Sequence, residues 1–262
     1  MIEWAGEGIV LAARRHGETS AVVQVFTAEH GRHAGLVRGG AGKRGRGVLQ
    51  PGNRVAARWR ARLADHLGTL VCELVRADGA ALLERPDCLA ALASACALIE
   101  RTLGERQPHP GLYDATNALI AALIEAPDWA ERYVRWELGL LDELGYGLDL
   151  GACAATGATA DLAFVSPRSG RAVSRAVGAA YADRLLPLPA FLVGGGGASP
   201  AELVAGLALT GAFLERHALA PHDRGLPPAR LRLADRFARA ATRFGDIVPG
   251  APQDEGSTRN KA

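Results

Sequence analysis

Asn53-Arg-Val-Ala-Ala-Arg-Trp-Arg-Ala-Arg-Leu63 alternates between two kinds of side chain. Arg54, Arg58, Arg60 and Arg62 share one parity, and Val55, Ala57, Trp59, Ala61 and Leu63 share the other. Successive side chains of an extended strand point to opposite faces, so the spacing predicts a strand with a cationic face and a core face. Trp59 falls on the core side. The competing reading, an exposed platform on which bases stack, runs against that parity.

Outward from this strand, apolar residues alternate or run in short β-branched stretches between residues 6 and 77, punctuated by Gly and turn residues. Five strands are predicted, over 6–15, 19–27, 31–38, 53–62 and 66–77. Short strands with no helix between most of them predict a small closed barrel, because closure removes exposed edges.

From Pro86 the period changes. Segments 86–103, 112–126 and 129–144 are Ala/Leu-rich with apolar residues three and four apart, the pattern of helices sharing a core. Trp129, Tyr133, Trp136, Leu140 and Leu144 form one stripe, read as bundle core. Residues 145–177 are rich in Gly, Ala, Ser and Thr and predict an irregular insert; 194–197 is a four-glycine linker. Ser199-Pro-Ala-Glu202 is a capping box opening a helix that reaches about His217. A last helix over 228–244 precedes a polar tail, 249–262, expected to be disordered. The expected organisation is α+β: a barrel domain over 1–79 and a helical domain over 80–248.

The 262 residues are 48% apolar and 22% charged, which fits a packed globular protein and excludes collagenous or coiled-coil classes. A formal charge of +2 hides an asymmetry: residues 1–79 carry 12 basic and 7 acidic side chains, the remainder 18 and 21. Such a balance points the first part toward a polyanion. Cys72, Cys88, Cys96 and Cys153 lack paired spacing, which argues against a disulfide framework. With no leader pattern and no long uncharged apolar run, the expectation is a soluble cytoplasmic protein without a membrane partner.

The strongest local signal runs from His30 to Ala64, with nine cations and no acidic residue: Arg32, Arg38, Lys43, Arg44, Arg46, Arg54, Arg58, Arg60 and Arg62. The glycines around Lys43, Arg44 and Arg46 would let the backbone follow a phosphate chain. The same string could be a solvated flexible loop; beside the cationic strand we favour nucleic acid. It lacks the G-x-x-x-x-G-K-[ST] order of a nucleotide-binding loop. A second stripe, Arg232, Arg236, Arg239 and Arg243, opposes Leu233, Phe237, Ala241 and Phe244 on the last helix, and reads as a solvated face. Catalytic constellations are missing: His30 and His33 have no acidic or thiol ligand at metal spacing, adjacent Asp142 and Glu143 diverge on a helix, and Cys72, Cys88 and Cys96 read as buried small apolar residues.

Three further groups of residues carry a resemblance. They are Gly8-Ile-Val-Leu with Gly17-Glu-Thr and Phe26, Leu49-Gln-Pro-Gly52, and Arg135-Trp-Glu-Leu-Gly-Leu-Leu-Asp-Glu-Leu-Gly-Tyr146 followed by Cys153 and Phe164-Val-Ser-Pro167. With the order of barrel, helices and insert, the chain resembles the RecO family of bacterial DNA repair proteins over nearly its whole length. The resemblance implies an OB-fold joined to a helical bundle, acting in the RecF recombination pathway without enzymatic activity or cofactor. It implies binding of single- and double-stranded DNA, annealing of complementary strands, and loading of recombinase, with RecR, onto DNA coated by single-strand-binding protein. It also implies docking of that protein's acidic tail on the helical domain, for which Arg132 and Arg135 are the candidate cations. Many members carry a zinc module of two C-x2-C pairs in the insert. Here the four positions read Cys153, Thr156, Val173 and Ala176, and one thiolate cannot replace the four N or S ligands of a structural zinc. A metal-free insert held by packing is therefore expected.

Overall fold

A computed structural model describes residues 1–194 and 196–245, so the expected tail and Gly195 of the glycine linker lie outside it, as does the side chain of Phe244. Strand β4 (Arg54–Ala61) follows the sequence parity, with Val55, Ala57, Trp59 and Ala61 buried and Arg58 and Arg60 exposed. It ends before Leu63, which was expected in the core and is instead 51% exposed in the turn.

Strands β1 (Ile2–His16), β2 (Ser20–Thr27), β3 (Gly31–Val37) and β5 (Thr69–Arg76) join β4 in a closed barrel of order β1-β2-β3-β5-β4. Every neighbouring pair is antiparallel except β3 and β5, which meet in parallel at the single pair Leu36↔Thr69. Val10, Val23, Val25, Trp59 and Leu70 fill the interior. Strand β1 is covered on both faces, Val10 toward that interior and Ile9 and Leu11 toward the helices. Double burial explains why Ile9-Val-Leu11 is a continuous apolar run rather than an alternating one.

Beyond Leu36 the β3–β5 seam is bordered by a short helix, α1 (Lys43–Val48). The glycine-rich segment, read from sequence as a loop, is thus helical over its second half. Asn53 accounts for this: its Nδ2 donates to the carbonyls of Gly47 (3.0 Å) and Val48 (3.1 Å), groups that a helix end leaves unsatisfied. The Asn53 Oδ1 in turn accepts the N–H of Gly79, in the one-turn helix α2 (Asp78–Ala81).

The helical region comprises α3 (Pro86–Thr102), α4 (Pro110–Glu125), α5 (Trp129–Glu143), the one-turn α6 (Arg175–Gly178), α7 (Pro200–Phe213) and α8 (Pro228–Gly245). Tyr133, Trp136 and Leu140 of the aromatic stripe are buried, with Trp129 and Leu144 packed at its margin. The capping box forms, Ser199 Oγ accepting the Glu202 N–H at 3.2 Å and the Glu202 carboxylate accepting the Ser199 N–H at 3.0 Å. By length and composition Pro200–His222 could cross a membrane, but α7 within it packs against α5 and α8 as a core helix.

Most of residues 145–177 is irregular, but the segment carries two short strands that pair with a third beyond it. Strands β6 (Leu162–Val165), β7 (Ala172–Ser174) and β8 (Leu186–Pro187) form an antiparallel sheet of order β7-β6-β8. Strands of four, three and two residues are too short to show a period in sequence.

Barrel and helices share one core, in which Ile9, Leu11 and Phe26 lie against α3 and α4; the Phe26 ring meets Tyr113 edge-on at 5.6 Å. Two glycines permit the contact. A Cβ at Gly52 (φ 88°) would overlap the Leu92 side chain, and one at Gly31 (φ 60°) would collide with the Gln107 backbone.

Candidate nucleic-acid interface

The short α1 holds Lys43, Arg44 and Arg46 at the surface, and Arg38 follows the end of β3 beside it. A groove of 720 Å³ lies on the β5 side of α1, with Arg38, Arg44, Val48 and Leu74 among its lining. A second, of 460 Å³, lies on the β1 side with Arg15, Arg46 and Leu49. The barrel end is therefore a ridge of cations between two depressions.

On β4, Arg58 and Arg60 project outward and Arg62 follows in the turn. The neighbouring strands temper this stripe: Arg60 lies opposite Glu3 of β1, and Ala56 lies between Glu7 of β1 and Glu73 of β5. Among the described residues no ion pair engages Arg38, Lys43, Arg44, Arg46, Arg58, Arg60 or Arg62.

Arg32 and Arg54 are placed differently. Arg32 donates from Nε to the Leu103 carbonyl (3.0 Å) and from Nη1 to Gln24 and Glu105 (3.2 Å each), with its side chain only 15% exposed. Arg54 donates to Asn117 Oδ1 at 2.6 Å. Both guanidinium groups fasten the barrel to the helical region. The two cations named on α5 are also engaged internally. Arg132 pairs with Asp128 at 3.0 Å, while Arg135 pairs with Glu131 at 3.4 Å, donates to the Phe191 carbonyl at 2.8 Å and lies over the Phe191 ring. On α8, Arg232, Arg239 and Arg243 are exposed and Arg236 pairs with Asp87.

Trp59 lies inside the barrel, its Nε1 donating to the Leu67 carbonyl at 2.8 Å. It is part of a ring cluster at the barrel end, with His33 edge-on at 4.6 Å, Trp4 stacked at 6.4 Å and the Arg106 guanidinium 5.8 Å above it. His33 is buried, and desolvation first, then the charge of Arg106, holds its pKa down at about 4. It is a neutral packing group. Cys72 and Cys96 are pushed up to about 12 by burial, so these thiols are inert.

In the insert, Cys153 Sγ accepts the Ser174 N–H at 3.3 Å, and Ala154 donates from its backbone to Ala172 at 2.8 Å. The turn at Cys153 is thus tied to β7 by hydrogen bonds. Among the described residues, no three His, Cys, Asp or Glu side chains gather in a metal-holding arrangement.

Sequence reading missed Asn53, which positions α1, and the buried Glu137–Arg230 pair, which fixes α8. In each case the decisive partner is distant in the chain or carries no pattern of its own.

A small closed barrel with a cationic ridge, fused to a helical bundle through a shared core, defines a class of barrel-and-bundle proteins suited to polyanions. Residues 1–77 match the model for the N-terminal part of Recombination protein O, and residues 83–226 match that for its C-terminal part. The chain is 58% identical over 250 residues to a DNA repair protein RecO of Rhodospirillum centenum, covering 95% of this chain and 99% of the relative. It is 55% identical over 251 residues to a DNA repair protein RecO of Rhodospirillum rubrum, covering 91% and 98%. A Cereibacter sphaeroides DNA repair protein RecO is 51% identical over 242 residues, covering 92% and 100%. The chain belongs to the RecO family.

Proposed function

We propose that this protein acts in DNA repair as a non-enzymatic recombination mediator that binds DNA on its barrel and anneals complementary strands. The barrel has the five strands of an OB-fold, an architecture that takes oligonucleotides on one side. The carrying observation is that seven cations, Arg38, Lys43, Arg44, Arg46, Arg58, Arg60 and Arg62, stand exposed on one domain and engage no carboxylate in an ion pair among the described residues. Annealing requires two polyanions to approach, and clustered guanidinium groups lower that repulsion without covalent chemistry. Arg32 and Arg54 contribute indirectly, by holding the barrel on the bundle.

The family resemblance extends the reading to loading of recombinase, with RecR, on DNA coated by single-strand-binding protein, in the cytoplasm. It also assigns the acidic tail of that protein to the helical domain. Arg132 is the more available of the two proposed tail contacts, since Arg135 also serves Phe191.

The test is the rate at which the protein anneals complementary oligonucleotides already coated with single-strand-binding protein, at two salt concentrations. Acceleration that fades as salt rises is expected. No acceleration, with tail-peptide binding intact, would replace the annealing reading with that of a protein adaptor.

A further inference from the structure

The barrel is joined between β3 and β5 by one register pair, Leu36↔Thr69. Strand β5 continues seven residues beyond it to Arg76, paired with β4 along one edge only. A free edge carries backbone N–H and C=O groups at the repeat of an extended chain, and proteins commonly blunt such edges with Pro, Lys or a covering segment. Here the stretch Val71-Cys-Glu-Leu-Val-Arg76 contains neither Pro nor Lys; its only interruptions are the charges of Glu73 and Arg76 and a register shift that leaves Val75 unpaired with β4, and Val71, Leu74 and Val75 are 51%, 44% and 50% exposed. The 720 Å³ groove runs between this part of β5 and α1, with aliphatic walls from Val37, Val48 and Leu74 and two cations, Arg38 and Arg44, against one carboxylate, Glu73.

We propose that this groove docks a partner protein through an extended acidic peptide, which adds as a strand to the free edge of β5 and sets its carboxylates against Arg38 and Arg44. Strand addition takes affinity from main-chain hydrogen bonds and selectivity from alternate side chains. The lining favours a peptide over nucleotide bases: bases stack on aromatic faces, and the groove has none. Arg38 and Arg44 would then serve DNA and the peptide in turn, so that an occupied groove weakens the DNA surface. The proposal shares these two cations with the DNA reading but requires the strand edge, which that reading does not.

The test uses the full chain and a fluorescein-labelled heptapeptide of alternating Glu and Val, followed by anisotropy and by amide exchange over Val71–Arg76. Saturable binding is expected, with slowed exchange at alternate amides of β5. Of two probes N-methylated at alternate positions in opposite phase, one should bind at least tenfold more weakly than the other. The R38A/R44A double variant should also lose at least tenfold. No saturable binding to one millimolar, or binding indifferent to N-methylation, overturns strand addition. In a separate arm, oligothymidylate binding is measured on the same samples; DNA binding that persists while the peptide fails sinks this proposal alone.

Discussion

Arg230 of α8 and Glu137 of α5 form a bidentate pair inside the bundle, Nε to Oε1 at 2.5 Å and Nη2 to Oε2 at 3.0 Å, with side chains 1% and 0% exposed. Thr210 of α7 and Tyr133 of α5 also donate to the carboxylate, so one buried charge is satisfied from three helices. Removing one member strands the other in a low-dielectric core, at a cost of about 3–5 kcal/mol. Glu137→Leu and Arg230→Met are each expected to destabilise by that amount in urea denaturation. The double variant should lose less than either single one, because no buried charge remains and both hydroxyls keep another partner, Thr210 on the Gly206 carbonyl and Tyr133 on Ser94. A double variant as unstable as the sum of its parts would contradict this.

The junction between barrel and bundle depends on Gly52. At φ 88° and against Leu92, an added methyl meets both backbone strain and a filled core. Gly52→Ala is expected to cost about 2–4 kcal/mol, a left-handed residue and an overpacked contact combined. Leu92→Ala alone should cost about 2–5 kcal/mol as a buried truncation, and the two substitutions together should cost less than their sum, because the smaller side chain makes room for the added methyl. Chemical denaturation of the three variants decides it, and an unshifted midpoint for Gly52→Ala would refute the close approach.

The barrel was legible because a period of two survives wherever one face is core, as at Val55, Ala57, Trp59 and Ala61. Helices α3, α4 and α5 were legible for the same reason at a period of 3.6, whereas α7, apolar nearly all round, was legible through its capping box at Ser199 and Glu202. Helix α1 was not, because Gly45 and Gly47 are poor helix formers and its end is held by Asn53, a tertiary partner. The cationic run showed where charge gathers but not where each charge goes. Nothing local distinguishes Arg54, which meets Asn117, from Arg58 two turns of the alternation later, which meets solvent.

His33 makes stability depend on pH in one window. Its pKa falls from an ordinary 6.5 to about 4 in the folded chain, so the folded state refuses a proton that the unfolded chain accepts. The stabilisation is present above pH 6.5 and is lost as pH falls through 4, by about 3 kcal/mol in all. His33→Phe keeps a ring between Trp4 and Trp59 and removes the titration. Urea denaturation from pH 7.5 to 4.5 should give a shallower acid loss for the variant than for the parent, by close to one proton. Parallel pH profiles would show that His33 does not titrate abnormally.

The division of the nine cations gives the sharpest test of the DNA surface. Each phosphate contact to a single strand contributes about 0.7 to the slope of log affinity against log salt. The K43A/R44A/R46A variant removes three exposed charges from α1, and Arg58→Ala and Arg60→Ala remove two from β4. These should lower the slope for a single-stranded oligonucleotide and leave the unfolding midpoint nearly unchanged. Arg32→Ala and Arg54→Ala should do the reverse, because Arg32 is held by Leu103 and Glu105 and Arg54 by Asn117, across the junction. They should shift the midpoint through the barrel–bundle contact and leave the slope of the remaining folded protein intact. A slope that falls with Arg54→Ala but not with the α1 triple variant would move the DNA path from the cationic ridge to the junction.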